Sequence, residues 1–104
     1  MLLTTGNRPD NLSSALDSIH NYYEHLVIEE VHNVLTGKLD NNNYIADIAC
    51  VALNHLPPRY IRHDVDMAFY LSPNERLEIL TKVEKAVADA IGIVDTSDKR
   101  YDTA

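Results

Sequence analysis

Two consecutive prolines, Pro57 and Pro58, constrain the fold of this chain more than any other local feature. A proline ring holds φ at about −65°, removes a backbone donor and biases the preceding residue away from the helical region. A helix that reaches this segment therefore ends at about residue 55, and the chain leaves it stiff and extended. We predict a helix before the prolines, an extended segment that starts at the prolines, and another helix after that segment.

Three long segments carry apolar residues at helical spacing. The first covers about residues 18–36, with Ser18 as its N-cap and Gly37 in a left-handed position after its end. The second covers about residues 43–55 and is apolar nearly all round, which is typical of a central helix. The third covers about residues 73–92.

The third helix has the clearest local start signal. Ser72, Pro73 and Glu75 form the pattern of a capping box with proline at the first helical position, and Gly92 marks the predicted end. Its apolar side is predicted to include Leu77, Leu80, Val83, Val87, Ala90 and Ile91. About 20 residues at ~1.5 Å each span roughly 30 Å. This length suggests a helix that extends along a partner subunit.

The segment between the second and third helices, residues 59–70, alternates partly between apolar and polar side chains. That pattern favours a short strand, which needs a partner within the chain or on another copy. We therefore predict a mainly α fold with three principal helices and a short extended segment, as one domain over residues 1–104. Residues 1–12 are predicted as a loose arm, with a possible helical turn from Asn11, and residues 95–104 as a frayed tail.

Composition excludes several function classes. The chain has 104 residues and a formal net charge of −7, whereas proteins that bind a nucleic-acid backbone carry a basic surface. A single cysteine excludes an internal disulfide and a thiolate metal cluster. The chain lacks an apolar stretch that would span a membrane and an apolar signal-peptide core. We expect a cytoplasmic protein, and its thin core favours a homodimer.

Two other arrangements of residues are candidates for chemical sites. Glu29 and His32 form a Glu-x-x-His pattern with His25 on the same helix face, but a di-iron bundle needs a second such motif. A solvated face is the preferred interpretation. Cys50 stands among apolar residues, where a free cysteine is usually a small buried hydrophobe rather than a nucleophile.

Recognition chemistry concentrates directly after the prolines. Arg59 and Arg62 can each fork onto a phosphate or onto the O6/N7 edge of a guanine. Asp64 or Asp66 can accept from the N1–H and N2–H of guanine, and Tyr60 or Tyr70 can stack on a base. The alternative is an exposed strand edge with ion pairs among its own side chains, which contribute about 1 kcal/mol at most.

Two segments, IHNYYEHLVIEEV at residues 19–31 and IACVALNHLPPRYI at residues 48–61, resemble the late competence development protein ComFB family. The resemblance covers about residues 18–62 and rests most on the LNxLPPxY pattern. The matching positions are His20, Asn21, Tyr22, Glu29, Glu30, Asp47, Ala52, Leu53, Asn54, Leu56, Pro57, Pro58, Arg59 and Tyr60.

The sequence departs from the family pattern at one place. Classical members carry a cysteine cluster before the second helix, which suggests zinc, whereas this chain has Asn41, Asn42 and Asn43 there. Zinc is therefore not expected, and the asparagines are predicted to cap the second helix. The resemblance to zinc-lacking relatives implies binding of the second messenger cyclic di-GMP.

Our leading hypothesis is a non-enzymatic receptor that binds cyclic di-GMP and relays it to a regulator protein. The primary candidate residues are Arg59, Tyr60, Arg62, Asp64 and Asp66. Pro57 and Pro58, which display them, are also candidates for the ligand-binding site. The secondary candidates are Asn54, His63, Asp47 (which can orient Arg59) and Arg8 on the arm. The rival hypothesis is an interaction module or homodimer without a small-molecule ligand. An enzyme is the third and least favoured hypothesis, because the sequence does not pair a nucleophile, a base and an oxyanion donor.

Overall fold

A computed structural model describes residues 10–38 and 41–97 of the chain, and the described part is mainly helical. Five α-helices, one 3-10 helix and two very short strands make up this part of the chain. In chain order the elements are α1 (Asp10–Asp17), β1 (His20–Asn21), α2 (Tyr23–Val34), a 3-10 helix (Thr36–Lys38), α3 (Asn42–Asn54), β2 (Tyr60–Ile61), α4 (Asp64–Tyr70) and α5 (Pro73–Ser97).

The hydrophobic core lies where α2, α3 and α5 pack against one another. Helix α3 contacts both of the others, as predicted for a helix that is apolar nearly all round. Ile48 and Ala52 on this helix are fully buried. The other helices contribute apolar residues at three- and four-residue steps: Tyr23, Val27 and Val31 on α2, and Ile79, Val83, Ala86, Val87, Ala90 and Val94 on α5.

Side-chain caps start two of these helices as the sequence predicts. The Asn41 side-chain oxygen accepts a hydrogen bond from the backbone N–H of Tyr44 at 3.1 Å, which confirms an asparagine cap on α3. Before α5, the backbone N–H of Glu75 donates to Ser72 Oγ at 3.1 Å, and the backbone N–H of Ser72 donates to Glu75 Oε1 at 3.0 Å. These two bonds are the predicted capping box.

The predicted boundaries of the first long helix are wrong. This helix begins at Tyr23, not at Ser18, because His20 and Asn21 leave the helical region to form β1. Ser18 is not an N-cap, and its hydroxyl donates instead to the carbonyl of Ala15 at 2.6 Å. Gly37 lies in the 3-10 helix and does not adopt the left-handed conformation.

The extended interpretation of residues 59–70 holds only at its start. Tyr60 and Ile61 form β2, and Asp64–Tyr70 is a helix. The acidic residues that suggested alternation lie in its first turn, where negative charge is favourable. Met67 and Leu71 are buried one turn apart, so helical spacing decided the packing of this segment.

Helix α5 continues beyond its predicted end at Gly92 and reaches Ser97. Val94 is buried, and the hydroxyl of Tyr44 donates to Asp95 Oδ1 at 2.6 Å, which ties this last turn to α3. Burial and this bond raise the pKa of Tyr44 to about 12. On the same helix, Leu77 and Leu80 are exposed rather than in the predicted core, and the core takes Ile79 instead.

The predicted loose arm and frayed tail lie largely outside the described residues. Residues 10–12 of the arm belong to α1, and residues 95–97 of the tail belong to α5. Over the described ranges, none of the helices combines the length and the apolar character that crossing a membrane requires.

Replacing Gly92 by alanine should stabilise the protein by about 0.5–1 kcal/mol, because a helix-interior glycine is that much less favourable than alanine. A Cβ at this position meets no atom within 4 Å. The measurement is chemical denaturation of Gly92→Ala against wild type. The matched control is Ala88→Gly on the exposed side of the same helix, which should destabilise by a similar amount. Destabilisation by Gly92→Ala would mean that the helix ends at this glycine.

Candidate functional site

Strands β1 and β2 pair antiparallel and join two parts of the chain that are far apart in sequence. His20 lies opposite Ile61 and Asn21 lies opposite Tyr60. The backbone N–H of Tyr22 also donates to the carbonyl of Arg59 at 2.7 Å. We call residues 20–21 with 60–61 the ribbon. It fastens the segment that follows Pro57 and Pro58 to the start of α2.

Asn21 is the buried polar residue that holds the ribbon in place. Its side chain is 9% exposed. Its amide oxygen accepts from the backbone N–H of Tyr23 at 3.1 Å and from the backbone N–H of Arg59 at 3.1 Å. One side-chain atom therefore serves two backbone donors, at the first residue of α2 and at the residue after Pro58. Loss of this oxygen would leave the two backbone N–H groups without their acceptor.

The ribbon directs its side chains to opposite faces, as a strand does. Ile61 is half-buried and packs against the core, whereas Tyr60 is 67% exposed. Arg59 and Arg62, on either side of this pair, are also exposed. The backbone is fixed by main-chain bonds and by Asn21, while these side chains are exposed to solvent.

His20 links the ribbon to α4. Its Nε2 lies 2.8 Å from Asp64 Oδ1, and its Nδ1 lies 2.8 Å from the carbonyl oxygen of Ser18. These two bonds, with the Ser18 carbonyl as the larger cause, raise the pKa of His20 above its ordinary value. Arg62 reaches the same place, because its Nε donates to Ser18 Oγ at 3.0 Å. Ser18, His20, Arg62 and Asp64 thus form one connected polar cluster.

Arg59 is electrostatically coupled to the start of α5. The capping bonds from Ser72 are the main reason why the pKa of Glu75 is lowered, and the positive charge of Arg59 adds a weaker contribution. The predicted candidates Arg59, Tyr60, Arg62, His63 and Asp64 therefore follow one another along an exposed edge that the ribbon anchors. Asp66 lies in the first turn of α4 and is exposed.

The remaining candidates have separate positions. Asn54 is at the end of α3, where its amide donates to Cys50 Sγ at 3.7 Å. Asp47 is half-buried on α3, two turns earlier. Pro57 and Pro58 are exposed in the loop that leads to β2. Arg8 lies outside the described residues.

Sequence reasoning assigned no role to Ser18, His20 or Asn21 in this site. The sequence gives His20 and Asn21 only as positions of the family pattern, and it predicts Ser18 as a helix cap. The available signal was a histidine and an asparagine directly ahead of a helical repeat, both able to bond backbone groups. Their partners lie 38 and 44 residues away, so only the folded chain reveals them.

Helix α4 presents apolar side chains to solvent beside this edge. Phe69 is 81% exposed, Tyr70 78% and Val65 59%, with Val65 and Phe69 one turn apart. Exposed aromatic residues that are adjacent in space commonly mark an interaction surface. We call these three residues the α4 apolar face.

A separate cleft of about 230 Å³ lies between α2 and α5 and shares no lining residue with the ribbon. Burial and the charge of Glu84 raise the pKa of Glu30, which lines this cleft. Its lining residues are Leu26, Glu29, Glu30, Asn33, Leu80, Val83 and Glu84.

Within residues 10–38 and 41–97, no three His, Cys, Asp or Glu side chains are grouped so that they could hold a metal ion. Cys50 is exposed, so the expectation of a buried cysteine is wrong. It lies on the side of α3 that faces away from Ile48 and Ala52, the residues in the core.

A three-helix core that carries an anchored, exposed Pro-Pro-Arg-Tyr edge defines a small, mainly helical domain with a candidate site on its surface. The family model described as Late competence development protein ComFB matches residues 20–98, and the chain belongs to that family. Searches among curated proteins and among solved structures found no match.

Replacing Asn21 by alanine should destabilise the protein by about 1–3 kcal/mol, because two backbone donors lose a buried acceptor. Denaturant unfolding followed by circular dichroism measures this change. Asn33→Ala on the exposed surface of α2 is the control and should stay within about 0.5 kcal/mol of wild type. A similar small effect for Asn21→Ala would contradict the role given to the Asn21 amide.

The stability conferred by His20 should depend on pH. A raised pKa in the folded state stabilises the protein below the unfolded value of about 6.5, and this contribution is lost as pH rises through the folded value. The stability difference between wild type and His20→Gln should therefore be larger at about pH 6 than at about pH 8. His32→Gln, on the exposed surface of α2, is the control for removal of a histidine. Identical pH profiles for the two variants would count against the His20–Asp64 bond.

Proposed function

We propose that this protein is a non-enzymatic cytoplasmic receptor that binds cyclic di-GMP at the edge formed by residues 59–66. The observation that carries the proposal is the anchored ribbon. It holds the backbone of Arg59–Ile61 through the Asn21 amide and strand pairing while Arg59, Tyr60 and Arg62 stay exposed. Membership of the ComFB family supports the proposal, because the resemblance to its zinc-lacking branch implies this ligand.

The side chains on this edge match the chemistry of a guanine dinucleotide. Arg59 and Arg62 bind phosphate or the O6/N7 edge of guanine through their forked guanidinium groups. Tyr60 stacks on a base. Asp64 and Asp66 accept from the N1–H and N2–H of guanine.

Local charge has to overcome an unfavourable overall field. The protein carries a formal net charge of −7, and a dinucleotide brings two further negative charges. Long-range attraction therefore does not assist the encounter, and affinity depends on short-range contacts with the two arginines. His63, between Arg62 and Asp64, adds a ring N–H that can donate a hydrogen bond to a phosphate oxygen.

In this proposal the other predicted residues have supporting roles. Pro57 and Pro58 limit the freedom of the loop before binding, and Asp47 and Asn54 lie on the helix that leads into it. The receptor then communicates ligand binding to a regulator protein. No metal or other cofactor takes part.

A second candidate function is a protein interaction module that forms a homodimer and binds no small molecule. The α4 apolar face favours it, because Val65, Phe69 and Tyr70 are too exposed to contribute to the core of one chain. The two functions are compatible if the dimer forms through α4 and the ligand binds at the ribbon.

Isothermal titration calorimetry of nucleotide-free protein with cyclic di-GMP tests the first function, with cyclic di-AMP and GTP as controls. Saturable binding of cyclic di-GMP alone supports the receptor. Absence of heat with all three ligands, with an unchanged melting temperature, would reject it in favour of the interaction module. Sedimentation velocity on the same sample reports the oligomeric state.

Arg59→Ala and Arg62→Ala should each weaken cyclic di-GMP binding about tenfold or more, because a hydrogen bond to a charged group contributes about 1.5–3 kcal/mol. Arg59→Lys and Arg62→Lys should also weaken it, since an ammonium group cannot fork onto two acceptors. Lys82→Ala, exposed on α5, removes the same charge away from the ribbon and should leave affinity nearly unchanged. Wild-type affinity in both alanine variants would remove these arginines from the site.

A further inference from the structure

The surroundings of His20 require donors at both ring nitrogens. Nδ1 faces the carbonyl oxygen of Ser18 and Nε2 faces the carboxylate of Asp64, each at 2.8 Å. Neither partner atom has a hydrogen to give. A neutral imidazole has one N–H, whereas the protonated ring has two. Both hydrogen bonds can therefore form at the same time only when His20 carries a positive charge.

Asp64 depends on this bond for its position. It is the first residue of α4, and its side chain is 60% exposed. The residue before it, His63, makes no side-chain capping bond, and Met67 is the buried residue of the helix. A short helix held to the core at few points leaves an exposed carboxylate free to sample several directions. The His20 ring is the contact that joins Asp64 to the anchored ribbon.

We propose that protonated His20 is a positioning residue for ligand binding: it fixes the Asp64 carboxylate toward the ribbon edge, so that cyclic di-GMP binds more tightly when His20 is charged. This inference rests on the proposed function and adds its regulation by pH. Asp64 Oδ1 bonds His20, and a carboxylate has further acceptor sites for a guanine edge. The charge on His20 also attracts the ligand phosphates.

The groups around His20 come from three elements. Asp64 on α4 and Glu24 on α2 both favour the charged ring, and the raised pKa of His20 agrees with the geometry. Burial of the ring opposes the charge, and Arg62, after β2, bonds the hydroxyl of Ser18 rather than the ring. Two carboxylates and a backbone carbonyl together outweigh burial, so the pKa of His20 lies above its ordinary value.

Thermodynamic linkage makes this proposal measurable. If the charged ring favours binding, then binding favours the charged ring, and the complex takes up protons near neutral pH. The opposite mechanism has the opposite sign. If His20 merely competes with guanine for Asp64, binding releases protons and becomes weaker as pH falls.

The experiment is calorimetry of the full chain with cyclic di-GMP at about pH 6, 7 and 8, with the pH 7 titration repeated in a second phosphate-free buffer of different ionisation enthalpy. These values stay above the isoelectric point of 5.0. Wild type should bind about fivefold or more tightly at pH 6 than at pH 8, with proton uptake at pH 7. His20→Gln keeps one amide donor toward Asp64 but does not titrate, so its affinity should vary less with pH and its proton uptake should be lost.

Two control variants locate the proton. His32→Gln, exposed on α2, should keep the wild-type affinity and pH profile. His63→Gln should keep the pH dependence even if its affinity is lower. Loss of the uptake in His63→Gln but not in His20→Gln would assign the proton to His63 and overturn the proposal.

The two failures are distinguishable. Binding that is equal at all three pH values, or that releases protons, overturns the role of His20 and leaves the receptor function standing. No binding of cyclic di-GMP at any pH overturns both.

Discussion

The pair of hydrogen bonds accepted by the Asn21 amide oxygen holds together the arrangement on which the candidate site depends. One bond reaches the first residue of α2, and the other reaches Arg59, immediately after the two prolines. The oxygen is buried, and a buried acceptor that serves two backbone donors is costly to lose. Because of these bonds, the segment between α3 and α4 has a defined position even though its side chains face solvent.

The three-helix core supplies the rigid frame for this contact. Ile48 and Ala52 of α3 are fully buried between α2 and α5, so the end of α3 and the start of α2 are fixed relative to each other. Pro57 and Pro58 then limit the paths by which the chain can leave α3. The ribbon closes the remaining distance through two strand residues on each side. Strands this short are not stable alone, and the core keeps them paired.

The polar cluster of Ser18, His20, Arg62 and Asp64 joins the ribbon to α4, the short helix that bears the α4 apolar face. Helix α4 therefore carries both the contact of Asp64 with His20 and the α4 apolar face. If a partner or a second copy covers Phe69 and Tyr70, the position of α4 matters to both the ligand edge and that interface. This connection offers a physical route by which the proposed binding at the ribbon can be communicated to a partner.

Much of the helical framework could be predicted from local pattern. The caps at Asn41 and at Ser72 with Glu75 were predicted correctly, because such bonds join residues three positions apart. The central position of α3 followed from its apolar surface. The alternation in residues 59–70 predicted the wrong element. A helix begins at Asp64, because helical spacing lets Met67 and Leu71 pack into the core. Gly92 misled as well, since burial of Val94 and the Tyr44–Asp95 bond continue the helix past it.

The sequence by itself determined the elements whose causes are local: the helical repeats, two side-chain caps, the break at Pro57 and Pro58, and the concentration of Arg59, Tyr60 and Arg62 after it. Only the tertiary structure decided which distant residues contact this segment. The pairing of His20 with Asp64 and of Asn21 with Arg59 spans 44 and 38 residues. Contacts of that separation depend on how three helices pack, and packing is a property of the whole core that no short window of sequence contains.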